Sequence, residues 1–156
     1  MVSRPAFAPR QKGVTYFWVL LLLALISLGL GKLLEDVRMS TQREREHELL
    51  YVGGLYRRAI QQYWQSTPLD GRRYPERLND LLRDPRYPVT RRYLRQLYPD
   101  PVTGKPLVPI LSAEGGIMGV RSASSNTPVK VSGFGEESAA FAKSRSYDQW
   151  EFVYAP

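Results

Sequence analysis

Between Val14 and Gly31 the chain carries no charged side chain, and this run, VTYFWVLLLLALISLGLG, limits most of what the rest can be. It is 18 residues long, or 21 if it continues past Lys32 to Leu34. A helix needs roughly 20 apolar residues to cross the hydrocarbon core of a bilayer. Thirteen of residues 14–34 are Leu, Ile, Val or Phe, each contributing roughly −0.3 to −0.6 kcal/mol to insertion at the bilayer centre. Lys32, near the end, can snorkel to the interface. Tyr16, Phe17 and Trp18 stand at the N-terminal end, where an aromatic belt belongs. A buried core helix would need the other 122 residues to surround it, and they are half polar. A secretory signal usually has an apolar region of ~7–15 residues and an A-x-A-like cleavage site. This run is longer and Leu-Gly-Lys-Leu-Leu-Glu-Asp is no such site, so it is expected to stay attached as an anchor.

The charge follows from this. Lys plus Arg is 22, Asp plus Glu is 15, and the net charge is +7. Arg4, Arg10, Lys12 and Lys32 lie in the first 34 residues without an acid, and Glu35 and Asp36 follow. Basic residues before the span and acids after it predict a cytoplasmic N-terminus. The basic excess thus orients a helix and is not read as a nucleic-acid surface. The absence of Cys excludes disulfides and thiolate sites. A single His, His47, excludes a zinc site built on several imidazoles.

Residues 35–65 contain no Pro and are rich in helix formers. Leu34, Val37 and Thr41, then Val52, Leu55, Ala59 and Tyr63, keep the three- and four-residue spacing of a helix face. Gln42 to Glu48 is almost wholly polar, with alternating Arg and Glu able to form spaced charge pairs. Gly53-Gly54 is a weak point, costing about 1 kcal/mol per Gly relative to Ala. One helix is expected from near Val14 to near Gln65, bending at the glycine pair if anywhere. Pro68 and Asp70-Gly71 end it. A short helix is expected over Pro75–Arg83 with Leu78, Leu81 and Leu82 inward, and a second over Thr90–Leu97 with Tyr93, Leu94 and Leu97 inward. Short β runs follow at 107–111, 117–121 and 150–154; in the last, Trp150, Phe152 and Tyr154 alternate with Glu151 and Val153. Residues 122–148 read as a long polar loop. The fold class is therefore α+β: a long N-terminal helix, membrane span plus amphipathic extension, packed on a small domain with short helices and a small antiparallel sheet. The divisions are a basic leader over 1–13, a transmembrane helix over 14–34, an amphipathic helix over 35–65 and a small α+β domain over 66–156.

Gln11-Lys12-Gly13 stands directly before Val14-Thr15-Tyr16, and the apolar helix begins at once. Together with Arg43-Glu44-Arg45-Glu46, Tyr56-Arg57-Arg58-Ala59-Ile60, Tyr74-Pro75, Asp84-Pro85, Asp100-Pro101, Thr103-Gly104-Lys105, Gly115-Gly116-Ile117-Met118-Gly119-Val120 and the ending from Tyr147 to Tyr154, this order resembles the type IV pilin-like family, most closely the pseudopilins of bacterial type II secretion systems. The resemblance covers nearly the whole chain. It implies cleavage after Gly13 by a prepilin peptidase, N-methylation of Val14, and a single-pass subunit with a cytoplasmic N-terminus and a periplasmic domain. It implies assembly with other pseudopilin subunits on an inner-membrane secretion platform, as a structural protein and not an enzyme. Two positions depart from the family pattern. Val14 stands where the mature chain usually begins with Phe, and Trp18 where the fifth mature residue is usually Glu. That Glu pairs with a neighbour's N-terminal amine, so its absence implies a tip or accessory subunit, or another packing solution. A minor type IV pilin of an adhesion or DNA-uptake pilus is the alternative.

Small residues Ala24, Ser27, Gly29 and Gly31 would let neighbouring helices approach closely in the membrane. Elsewhere the residues offer little chemistry. His47 lies on a polar stretch and reads as solvated. The Arg pairs 57–58, 72–73 and 91–92 are interspersed with acids and read as solvated or subunit-facing. Asp100, Glu114, Glu136, Glu137 and Asp148 lack the oxygen-rich run of a calcium loop. Gly115-Gly116 to Gly119 is followed by no Lys-Ser/Thr and is not a phosphate loop. The Ser cluster at 122–125 has no His nearby for nucleophile activation. Met118 and Phe134 are expected in the core. No residue set calls for a metal, a cofactor or a catalytic role.

Overall fold

The computed structural model describes residues 13–67 and 71–156; the side chains at 13, 14, 30, 31 and 33–36 lie outside the described residues. Residues 1–12 of the leader, and the surroundings of Val14, Gly31 and Leu34 on which several expectations rest, lie outside the described residues too. The chain divides into two compact units, Met1–Ser40 and Thr41–Pro156. A helix, α1, runs Gly13–Gln65. No Pro lies within it to remove an amide donor. Its last carbonyls are not left bare: the Ser66 amide donates to Gln62 O at 2.9 Å and the Ser66 hydroxyl to Tyr63 O at 2.8 Å.

The second unit is α+β with a three-stranded antiparallel sheet in the order β1-β2-β3. The strands are β1 (Val108–Leu111), β2 (Ile117–Arg121) and β3 (Glu151–Val153), each inside one of the three apolar runs. β1 and β2 form a hairpin with Val108 opposite Arg121. Its turn needs the left-handed backbone at Gly115 and Gly116, with φ of 84° and 83°. β2 is central, pairing Val120 with Phe152 of β3. The core gathers Leu49, Val52, Tyr56, Ala59, Ile60 and Tyr63 of α1 with Leu81, Leu94, Leu107, Ile117, Val120, Phe141, Tyr147, Trp150 and Phe152. The Trp150 ring stacks on Phe141 at 5.4 Å between centroids, and Tyr147 and Phe134 meet it edge-on. Such pairs contribute roughly 0.5–1.5 kcal/mol each beyond their buried area.

Several expectations are corrected. Over Pro75–Arg83 only Leu78–Leu81 is helical, as one 3₁₀ turn. The Pro75 carbonyl is taken by the Ile117 amide at 2.7 Å, which ties this segment to β2 and delays the turn. Thr90–Leu97 is not a helix. Both the Tyr93 and Leu94 amides donate to Leu81 O, at 2.9 and 3.0 Å, so the segment is pinned to the preceding turn. Leu94 is buried, but Leu97 is exposed. Residues 122–148 are not a plain loop: 3₁₀ turns form at Glu136–Lys143 and Tyr147–Gln149, and each gives the core one aromatic. Met118 is only half-buried and Phe134 packs on the core from its edge. Val37 is exposed. Among the described residues no helix is long and apolar enough to cross a membrane.

Candidate functional site

In the first unit, every described residue from Thr15 to Gly29 is exposed, and none is charged. Tyr16 is 67% exposed, Leu22 58% and Leu28 73%, so the exposed apolar side chains occur all round the helix. The Ser27 hydroxyl donates to Leu23 O at 2.8 Å, so this side-chain polar group is satisfied within the helix. Ala24 and Ser27, three apart, share one face. Gly29, five residues from Ala24, lies on another. Gly31, four residues after Ser27 and seven after Ala24, falls on the Ala24 face, so three of the four small residues share one stripe. A Cβ at Gly29 would meet nothing within 4 Å.

The second unit holds a polar clasp that sequence reasoning missed. Glu46 is buried. Its carboxylate accepts from the Val129 amide, from the Lys130 amide at 3.2 Å and from the Tyr147 hydroxyl at 2.8 Å. Gln42, one turn earlier, donates its side-chain amide to Thr127 O at 3.1 Å and to the Tyr147 hydroxyl at 3.0 Å. Burial, opposed by the Gln42 hydrogen bond and reinforced by Glu46, pushes the Tyr147 phenol up to about 12. The signal was present. Glu46 lies three residues before Leu49 and six before Val52, on the stripe that becomes the core. The charge pairs expected along Gln42–Glu48 do not form. Among the described residues the ion pairs are Arg57–Glu137 and Asp84–Arg86.

Removing the clasp has a local readout. Glu46→Ala leaves two amides and a phenol without their acceptor, at roughly 1–3 kcal/mol for each group that stays buried. Amide exchange at Val129 and Lys130 is expected to accelerate strongly, while the Tyr93 and Leu94 amides keep their protection. Unchanged exchange at 129 and 130 contradicts the clasp.

Two Asp-Pro sites are also buried polar centres. Asp84 is fully buried and takes Arg86 side-on, at 2.8 Å to Nε and 2.6 Å to Nη2, with the Tyr93 hydroxyl at 2.8 Å. Arg86 also donates to Tyr63 O and Ser66 Oγ, both at 3.0 Å, and to Thr67, and lies 3.6 Å over the Tyr63 ring. Burial alone would raise the Asp84 carboxyl; hydrogen bonds from the Arg86 side chain and backbone and from Tyr93, with the Arg86 charge, hold it below the ordinary carboxylate range. Asp100 accepts from the Val102 amide at 2.9 Å and from the Thr103 and Ser122 hydroxyls at 2.7 Å. Its oxygens and the Ser122 hydroxyl thus serve each other inside the domain. Both clusters build structure: every donor named ends on a protein acceptor.

The remaining singled-out residues do not converge. His47, Glu114 and Glu136 are exposed. Asp148 takes the Ser146 hydroxyl. Among the described residues no three of His, Asp and Glu stand together as a metal ion would need. Of the Arg pairs, Arg57 is engaged with the Glu137 carbonyl and carboxylate, and Arg91 lies 3.9 Å over the Tyr87 ring; Arg58, Arg72, Arg73 and Arg92 are exposed. Compared with family models, curated proteins and solved structures, the chain matches none.

Proposed function

We propose that this chain is a structural, membrane-anchored subunit of a type II secretion pseudopilus, cut after Gly13 and assembled with other pseudopilin subunits in the bacterial inner membrane. The observation that carries the reading is the unbroken exposed, uncharged stretch from Thr15 to Gly29. A helix that is apolar all round is stable only where lipid or other helices cover it. The sequence extends the apolar stretch to bilayer length and places the basic leader before it. The same helix then continues as an amphipathic segment, so a subunit could be drawn from the bilayer into a filament by repeating one helix contact. Trp18, in place of the usual Glu, favours a tip or accessory position. The filament acts as a piston or scaffold for export, and the periplasmic part contributes packing and no chemistry.

Processing is the direct test. Mass spectrometry of the membrane-extracted protein, from cells with an active prepilin peptidase, is expected to give a chain starting at Val14 and carrying an N-methyl group. A chain that still starts at Met1 under those conditions overturns the reading.

A further inference from the structure

The positive charge of the Thr41–Pro156 unit is concentrated in one segment. The unit holds 17 basic and 13 acidic side chains, or +4. Residues 72–95 alone hold eight Arg against Glu76, Asp80 and Asp84, or +5, so the remainder is slightly acidic. No Lys occurs in the segment, although Lys105, Lys130 and Lys143 lie elsewhere in the unit. The segment folds around the C-terminal end of α1. There Arg73 and Arg77 line a pocket of 200 Å³ with Tyr63, Glu76, Asp80 and Pro85. At the same helix end the Tyr87 hydroxyl donates to Ser66 O, and the Arg91 guanidinium lies 3.9 Å over the Tyr87 ring. The Asp84 amide donates to Arg91 O at 3.1 Å, so Arg91 is held by its backbone and by its head. Val89, between Tyr87 and Arg91, is 75% exposed. Arg86 is spent on Asp84 and the helix end. Arg73, Arg77 and Arg91 are exposed, and among the described residues no carboxylate forms an ion pair with them.

We propose that this face binds an acidic, partly apolar segment of another protein, with Arg73, Arg77 and Arg91 taking carboxylates and Val89 an apolar side chain. The face belongs to the Thr41–Pro156 unit and stands apart from the filament reading. Three observations select a polypeptide over a phosphate polymer. Arg and Tyr without Lys is the composition favoured at protein–protein interfaces, whereas phosphates are neutralised by Lys and Arg alike. Glu76 and Asp80 share the pocket with the two cations. They repel a ligand charged at every unit but tolerate one that carries carboxylates at intervals. Exposed Val89 offers an apolar contact that a phosphate backbone cannot use. Arg91, already stacked, gives up little further side-chain freedom when its planar fork takes a carboxylate.

The probe is a random copolymer of Glu and Tyr, titrated into the full chain in neutral detergent at about 0.15 M salt, where charges more than about 8 Å apart are largely screened. It is expected to bind several-fold more tightly than polyphosphate or a short DNA duplex at equal charge. Arg73→Glu combined with Arg77→Glu is expected to weaken it by more than about tenfold, because like charges then face each other. Arg91→Lys, which keeps the charge but not the fork, and Val89→Ser are each expected to weaken it several-fold. Lys143→Glu, outside the segment, is expected to leave it unchanged. The proposal is overturned if the copolymer does not bind, if either phosphate polymer binds more tightly, if any of the face variants keeps full affinity, or if Lys143→Glu loses as much as they do.

Discussion

Gly53→Ala is expected to destabilise the Thr41–Pro156 unit severely, while Gly54→Ala, one residue on, leaves it intact or strengthens it. A Cβ at Gly53 would clash with the ring of Phe152, at its Cγ, Cδ1 and Cδ2. Phe152 is 1% exposed and held in β3, so the ring cannot swing into solvent. Overpacking in such a place typically costs about 1–3 kcal/mol and occasionally more. A Cβ at Gly54 would meet nothing within 4 Å. There only the helix-propensity gain remains, about 1 kcal/mol in favour of Ala. Urea unfolding of the full chain in detergent, followed by near-UV circular dichroism, should move the two midpoints in opposite directions. A Gly53→Ala midpoint at or above the parent's would show that β3 does not close on α1 as described.

The second large effect lies at the C-terminal end of α1. Asp84→Asn or Arg86→Met removes one partner of a buried pair, which costs roughly 3–5 kcal/mol because the other charge stays behind. Arg86 also covers the Tyr63 carbonyl and the Ser66 and Thr67 hydroxyls at the helix end, so its loss uncaps the last turn as well. The double variant Asp84→Leu with Arg86→Met leaves neither charge stranded and should lose less than the two singles together. The same pair makes stability acid-sensitive. The Asp84 carboxyl is depressed in the folded protein, so it contributes its full stability above the unfolded value of about 3.9. That contribution declines as pH falls through the folded value. In a urea series between neutral pH and pH 3, the parent should lose more stability than Asp84→Asn. Parallel curves would place the acid sensitivity elsewhere.

Where a residue's neighbours in sequence are also its neighbours in space, the structure was legible. Trp150 and Phe152 follow the two-residue alternation of a strand and are buried at 0% and 1%, with Glu151 outside. Val52, Ala59 and Tyr63 follow the helix stripe inward. Long-range pairing was not legible. Glu46 stands on the core stripe of the helix, but nothing local shows that Val129 and Lys130 will arrive with free amides for it. Gly53 reads as a helix defect, because the ring that needs its missing Cβ comes from β3. Thr90–Leu97 has a helix's apolar spacing, but Leu81 O takes its amides first. The small residues of the apolar stretch depend on local pattern alone, and there periodicity separates Gly29 from Ala24 and Ser27.

The clasp has a consequence in time. Tyr147 and Glu46 are 101 residues apart, and closing a loop of that length costs about 4 kcal/mol of chain entropy. Helix α1 can form from local contacts soon after synthesis, but its Glu46 and its notch at Gly53 must wait for the far end of the chain. Until Tyr147 and Phe152 arrive, the helix face that will become core stays open to any other apolar surface. The chain is therefore most vulnerable to wrong partners late in its folding, after its longest element already exists.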